Sequence, residues 1–269
     1  MSLPNKVSII ISTYNSPEYL KQVLESLSCQ TDNAFEIVIA DDGSDHKTSQ
    51  LIASYVKSIG VALIHAWQKD NGFRVAAARN NAVRLATGDY LTFLDGDCLA
   101  LPNFIARHRS CAEKGYMVRG SRVMLKKRYT QTLLSAPTLA LPTSLLQWVK
   151  LKLLGDVKRI NPLIRLPYAK YGKEKKWYGV KTCNLGIWLE DFKAINGFDE
   201  RYVGWGHEDA DLAVRLIRNG IKRKEGRSDV PVIHLWHQEN DRCYLSDNEE
   251  RLSEVIASDD TWVDEGLTQ

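Results

Sequence analysis

The chain is short of several features that would assign it to a class at once. Only five cysteines occur in 269 residues (Cys29, Cys98, Cys111, Cys183 and Cys243), and none forms a CxxC pair. An odd, scattered set excludes a disulfide framework or a cysteine-built zinc site and fits cytoplasmic thiols. Long hydrophobic runs are also missing. The longest uncharged stretch, Tyr129 to Val149, has 21 residues but contains Pro137, Pro142 and several Thr, Ser and Gln, which argues against a lipid-facing helix. The opening "MSLPNKVSIIIST" reaches a short apolar run and then turns polar, too short for a secretory signal, so the expected location is cytoplasmic. No internal repeat, low-complexity linker or Gly-rich, Lys-containing phosphate loop is present.

What is there is an ordinary globular composition, 44% hydrophobic and 26% charged, long enough for a substantial core. The net charge of +3 hides an asymmetry. From Lys150 to Lys181, ten Lys or Arg face only Asp156 and Glu174, so the rest of the chain sums to about −5. Two readings stand for this segment: a solvated basic face, or attraction to anionic phospholipid at the inner face of the cytoplasmic membrane or to a phosphate-bearing acceptor. The amphipathic piece "SLLQWVKLKLL" (144–154), with Leu145, Leu146, Trp148, Val149 and Leu153, either packs on the core or lies on a bilayer. No nucleic-acid partner is expected.

The first half alternates β-branched runs with helical periodicity. Strands are expected at 7–11, 35–40, 61–66 and 90–95, and helices at 16–27, 47–59 and 74–86, with Ser16-Pro17 as a cap and first turn. This alternation predicts an α/β fold with a mostly parallel central sheet and helices on both faces. Ligands of such sheets sit beyond the carboxyl ends of the strands. The candidates fall there: Thr13, Tyr14 and Asn15 after the first strand, Asp41 and Asp42 after the second, Asp95 and Asp97 after the fourth. Later, 130–176 reads as helical and broken by prolines. Residues 178–189 read as a strand, 190–197 as a short helix closed by Gly197, and 204–220 as a Gly-rich loop opening a helix.

Asp95-Gly96-Asp97 alone is weak, because Asp and Gly are ordinary turn residues. At a sheet edge with other polar clusters, two such carboxylates suit Mn²⁺ or Mg²⁺, and the ion offsets charge on a departing diphosphate. Asp42 and Tyr14 would serve a nucleoside. Arg74 and Arg79 are candidates to position phosphates and the metal-bearing loop, although either one alone is equally well read as an ordinary salt bridge. In "GWGHEDADL", Gly204 and Gly206 let the backbone turn around Trp205, whose ring can stack on a sugar. Glu208, Asp209 and Asp211 fall in the first turn of a helix, where acidic side chains are favoured. Asp211 can pair with Arg215 and reads as structural, leaving Glu208 and Asp209 for the cleft.

Four motifs in order, "VSIIISTYNSPEYLKQVLESL", "IVIADDGS", "GFRVAAARNNAV" and "YLTFLDGDC", resemble the inverting family 2 glycosyltransferases, the large family of cellulose and chitin synthases, which have the GT-A nucleotide-diphospho-sugar transferase fold. "GFDERYVGWGHEDADLAVRL" is similar to the acceptor-side motif of β-1,4-galactosyltransferases and bacterial chondroitin polymerase, although only one transferase module is present here. The resemblance implies a nucleotide-diphospho-sugar donor, UDP foremost, held by residues 1–125, and a catalytic-base and acceptor half in 126–269 of the same globule. It implies Asp209 as base with Glu208 beside it, and Asn184, Trp205 and Gly206 on the acceptor side. It also implies a metal site of Asp97, Asp95 and a histidine, His237 preferred over His234. The acceptor implied is a bacterial surface glycan such as lipopolysaccharide, capsule or a lipid-linked oligosaccharide, joined through a β-glycosidic bond. A sugar nucleotidyltransferase would need the missing phosphate loop. A non-catalytic scaffold of the same fold would be expected to have lost one of the charged positions, all of which are here.

Overall fold

Strand and helix alternate from the start. β1 (Val7–Thr13), α1 (Pro17–Ser28), β2 (Phe35–Asp41), α2 (His46–Tyr55), β3 (Leu63–Trp67), α3 (Val75–Leu85) and β4 (Tyr90–Asp95) follow one another in the computed structural model, which describes residues 3–136, 138–164, 171, 173–239 and 241–268. In α1 the helically spaced Leu20, Val23, Leu24 and Leu27 are all buried on one face. Pro17 opens that helix where no amide donor is needed. The Ser16 hydroxyl, expected as its cap, instead donates to the Tyr14 carbonyl at 2.9 Å.

The later elements are shorter. They are β5 (Cys98–Ala100), α4 (Phe104–Cys111), β6 (Tyr116–Arg119), β7 (Ser121–Met124), α5 (Lys127–Ser135) and α6 (Leu145–Leu153). After them come β8 (Asn184–Trp188), α7 (Leu189–Ala194), α8 (Glu208–Arg218), β9 (Lys222–Glu225), β10 (Pro231–His234) and α9 (Leu245–Ala257). The strand expected over 178–189 begins only at Asn184. Gly179 takes a left-handed φ of +78° and its carbonyl accepts from the Arg119 guanidinium, so the chain turns there instead of extending. Of the stretch read as broken helix, 165–170 and 172 lie outside the described residues.

Among the described residues the main sheet has seven strands in the order β3-β2-β1-β4-β8-β6-β9. β3, β2, β1 and β4 are parallel, β8 runs antiparallel to both β4 and β6, and β9 is parallel to β6. Mostly parallel is therefore right, with one reversed strand inserted. Side chains alternate across the sheet. Ile9 and Ile11 join a cluster with Leu20, Leu24, Phe104 and Trp148, whereas Ile10 joins Val38, Phe93, Phe192 and Leu212 on the other face. A second sheet, β5-β10-β7, stands beside the end of β4. No helix of the described residues is long and apolar enough to cross a membrane.

Candidate active site

Strand register explains why distant carboxylates meet. Ser12 lies beside Asp95 and Thr13 beside Asp41, so the ends of β1, β2 and β4 form one edge. Gly96 permits the turn between Asp95 and Asp97. Its amide donates to the Ser12 carbonyl at 2.8 Å, and a Cβ would sit 2.8 Å from the same oxygen. The chain then enters β5, which pairs with β10 so that Cys98 lies opposite His234. The Leu235 amide donates to the Asp97 carbonyl at 3.0 Å and fixes the start of the next loop.

The outcome is a cluster. Ligand atoms of Asp97, His234 and His237 lie within 4.8 Å of one another. Nε2 of His237 is 3.1 Å and Nε2 of His234 is 3.6 Å from Asp97 Oδ2. His237 Nδ1 lies 2.7 Å from the Gln238 carbonyl. A carbonyl can only accept, so Nδ1 carries the proton and, in the neutral ring, Nε2 presents its lone pair toward Asp97. A backbone hydrogen bond behind an imidazole is the usual way a metal-binding histidine is oriented. Burial holds His234 below the ordinary histidine range, which also leaves it neutral and able to ligate. The structure thus brings both histidines to Asp97, the preferred His237 and also His234.

The opposite wall is the start of α8. Gly204, Gly206 and His207 have φ of +76°, +114° and +73°, a left-handed run that glycines adopt freely and a histidine does not. External bonds hold it there. Asn248 of α9 donates to the Val203 and Trp205 carbonyls at 3.0 and 3.4 Å, and the Gly204 amide donates to the Phe73 carbonyl at 2.8 Å. The three acids that follow separate by partner. Asp211 turns inward and accepts from Arg215 Nε at 2.9 Å, the structural role expected. Glu208 accepts from Arg79 Nη1 at 3.0 Å, and Arg79 Nη2 reaches Asp95 Oδ1 at 3.1 Å. This one buried guanidinium ties the turn after β4 to the helix start.

Asp209 is buried, with Lys181 Nζ 3.3 Å from its Oδ2. Burial, and next the charge of Glu208, push its carboxyl up to about 6 against the pull of Lys181 and Arg79. A carboxylate in that range can hold or release a proton near neutral pH. It lines a cleft of about 600 Å³ that Asp97, His234, His237, Arg79 and Glu208 also line.

At the other rim Asp42 is buried and accepts from the Gln68 amide at 2.7 Å and the Arg74 backbone amide at 2.6 Å. Burial raises its carboxyl to about 6 as well. Tyr14 is exposed at the mouth, its hydroxyl donating to Asp70 at 2.9 Å. Thr13 lines the cleft with a buried hydroxyl that has no hydrogen-bond partner among the described residues.

Three expected residues do not form the cleft wall. Asn15, at φ +45°, ties two loops: its Oδ1 accepts from the Asp45 amide at 2.8 Å and its own amide donates to Ser44 Oγ at 2.9 Å. Arg74 serves Asp42 through its backbone, and its guanidinium points to the Glu200 carbonyl at 3.5 Å. The acceptor-side assignment of Asn184 is corrected outright. Its Oδ1 accepts from buried His108 at 3.1 Å and its Nδ2 donates to the Ser121 and Val230 carbonyls at 3.1 and 2.5 Å. Gly120 leaves that side chain its space, since a Cβ there would come 2.2 Å from Asn184 Cγ. Trp205 and Gly206 do line the cleft, with the Arg242 guanidinium 4.8 Å from the Trp205 ring centre.

Sequence reasoning missed Lys181, Arg122 and Arg242 in this wall, and Gln68 behind Asp42. Lys181 stood three residues before the asparagine that was chosen. Arg122 is opposite Val232 in the β7–β10 ladder, hence on the same face as His234 two residues on. No signal short of the strand pairing reveals that.

Two family profiles match the chain: glycosyl transferase family 2 over residues 8–138, and the N-terminal domain of galactosyltransferase over residues 165–237. The chain is 30% identical over 226 residues to a validoxylamine A glucosyltransferase of Streptomyces hygroscopicus, a match covering 80% of this chain and 52% of that protein. It is 29% identical over 252 residues to the hyaluronan synthase of Pasteurella multocida, covering 87% of this chain but 24% of the synthase. It therefore spans about half the length of the first relative and a quarter of the second. Among solved structures, a mannosyltransferase from Pyrobaculum calidifontis in complex with GDP-Man and Mn²⁺ superposes with a TM-score of 0.62 at 16% identity, over 96% of this chain and 64% of that one. That likeness shows the shared GT-A fold.

Proposed function

Since this chain belongs to glycosyl transferase family 2, we propose that it moves a sugar from a nucleotide-diphospho-sugar to a glycan hydroxyl with inversion, residues 1–125 holding the donor and 126–269 the acceptor and the base. One observation carries the reading: the buried, upshifted carboxyl of Asp209 opens into the same cleft as the Asp97–His234–His237 cluster. Asp209 takes the acceptor hydroxyl proton as that oxygen forms its bond to the anomeric carbon, and the diphosphate leaves from the opposite face. An α-linked donor then gives a β-glycoside. Glu208, held by Arg79, keeps the carboxylate pair in place and repels the last negative charge from Asp209, which is part of why that group binds a proton near pH 6.

The donor set fits a divalent cation. Two imidazoles whose free nitrogens meet carboxylate oxygen suit Mn²⁺ better than Mg²⁺, which keeps to oxygen ligands. Asp97, His234 and His237 would hold it, with Asp95 adjoining, and when bound it would offset charge on the leaving diphosphate. Asp42 and Tyr14 receive the nucleoside, taken as uridine from the family resemblance. Relatives named for hyaluronan synthesis and for amylovoran biosynthesis support a bacterial surface glycan as acceptor class. Purified protein offered a panel of nucleotide-sugars without acceptor should release nucleotide slowly from one of them in Mn²⁺ and stop in EDTA. No release from any sugar, with or without glycan acceptors, would overturn the reading in favour of an inactive glycan-binding protein.

A further inference from the structure

We propose that α6 and the basic residues around it form a docking surface for an anionic phospholipid bilayer. The helix divides its apolar side chains in two directions. Trp148 is buried in the core cluster that also receives Leu151, whereas Leu146 and Leu153 are 81% and 82% exposed. They are seven residues apart, two helical turns, and so share a face, with Leu145 and Leu154 also exposed at its ends. Single exposed leucines are ordinary, but four on one nine-residue helix and its cap make a patch.

Charge identifies the occupant. Residues 126–164 contain seven Lys or Arg and one acidic residue, Asp156, which is buried and accepts from Arg128 Nε at 2.9 Å. Lys150, Lys152, Lys158 and Arg159 are all exposed around the leucines. A second copy of this chain would bring this positive patch against itself. A purely acidic partner would leave the leucines unused. A bilayer with anionic headgroups satisfies both, taking leucines at the acyl boundary while lysines reach the phosphates. The surface is linked to the cleft: the Trp236 amide donates to Thr130 Oγ1 of α5 at 2.9 Å, and Lys127 Nζ lies 5.1 Å from the Trp236 ring centre, next to His237.

The full chain should float with vesicles of phosphatidylglycerol and phosphatidylcholine at low salt, and release as salt shortens the Debye length. Vesicle binding is read without donor or acceptor, so its outcome is separate from that of the transferase reading. Replacing Leu146→Ser and Leu153→Ser together should weaken partitioning at least about tenfold. Lys150→Gln with Lys152→Gln should weaken it by about twenty-five-fold, roughly fivefold per charge. Both variants should keep the wild-type melting temperature, since the altered side chains are exposed. The proposal falls if low-salt anionic vesicles bind no protein, if pure phosphatidylcholine binds equally well, or if both variants bind like wild type. It also falls if the leucine variant only abolishes self-association in light scattering.

Discussion

Asp42 and Asp209 face the same cleft from opposite rims, both buried and both shifted up to about 6, yet their surroundings differ in kind. Asp42 is held by two neutral donors, the Gln68 amide and the Arg74 backbone amide, which occupy one oxygen each. Asp209 has the Lys181 ammonium against both of its oxygens at 3.5 and 3.3 Å, and an acidic neighbour one residue away. Neutral hydrogen bonds fix a carboxylate's direction, as a binding rim needs. A flexible ammonium compensates charge while leaving lone pairs able to take a proton. Equal protonation ranges therefore do not imply equal roles; what surrounds each oxygen suits Asp42 to the proposed donor contact and Asp209 to the proposed base.

The largest effect that would break this contrast is on turnover. Asp209→Asn should lower turnover by about 10²-fold or more, as when general-base help is lost, with donor affinity kept. Asp42→Asn should do the reverse, weakening donor binding by about tenfold, the cost of about one good hydrogen bond, with turnover at saturating donor little changed. Equal effects of both substitutions on both parameters would erase the distinction. Next in size is the metal side. Asp97→Ala should abolish the Mn²⁺ dependence of donor binding, measured by calorimetry with and without EDTA, and His234→Ala and His237→Ala should each raise the Mn²⁺ concentration needed.

A smaller effect sharpens the electrostatics. Lys181 lowers the Asp209 pKa, so Lys181→Met should move the acidic limb of the turnover profile to higher pH. No movement would show that the ammonium does not govern that carboxylate. The smallest effect is on stability. Both aspartates are raised above their ordinary range, so the stability each contributes is full below about pH 4 and is lost as pH rises through about 6. Asp209→Asn should therefore melt higher than wild type at pH 7.5, by about 2–4 °C for each kcal/mol recovered, with the gain shrinking at pH 4.5.

The two halves also differ in how much of them the sequence discloses. β1, β2 and β4 are six- and seven-residue runs of β-branched and large apolar side chains, buried throughout or nearly so, and their carboxyl ends mark Thr13, Asp42 and Asp95 directly. β5, β6, β7 and β9 have three or four residues each, too few for any period to declare itself. Arg122 hides on one of these. Asn184 was misplaced because a polar residue at a strand start points to either face with equal ease. Its neighbour Cys183 faces the cleft, and the asparagine faces His108 and two carbonyls instead. Asp209 and Asp211 were separable in advance only because Arg215 stands four residues from the second.

The central claim is that Asp209 is the proton acceptor of an inverting transfer. Its most direct test is the pH dependence of single-turnover transfer at saturating donor, acceptor and Mn²⁺, where neither the proposed donor contact at Asp42 nor the proposed metal site at the histidines limits the rate. The rate should rise tenfold per pH unit below an apparent pKa of about 6, level off above it, and lose that limb in Asp209→Asn. A flat profile from pH 5 to 8, or a limb that Asp209→Asn retains at near-normal rate, would contradict it.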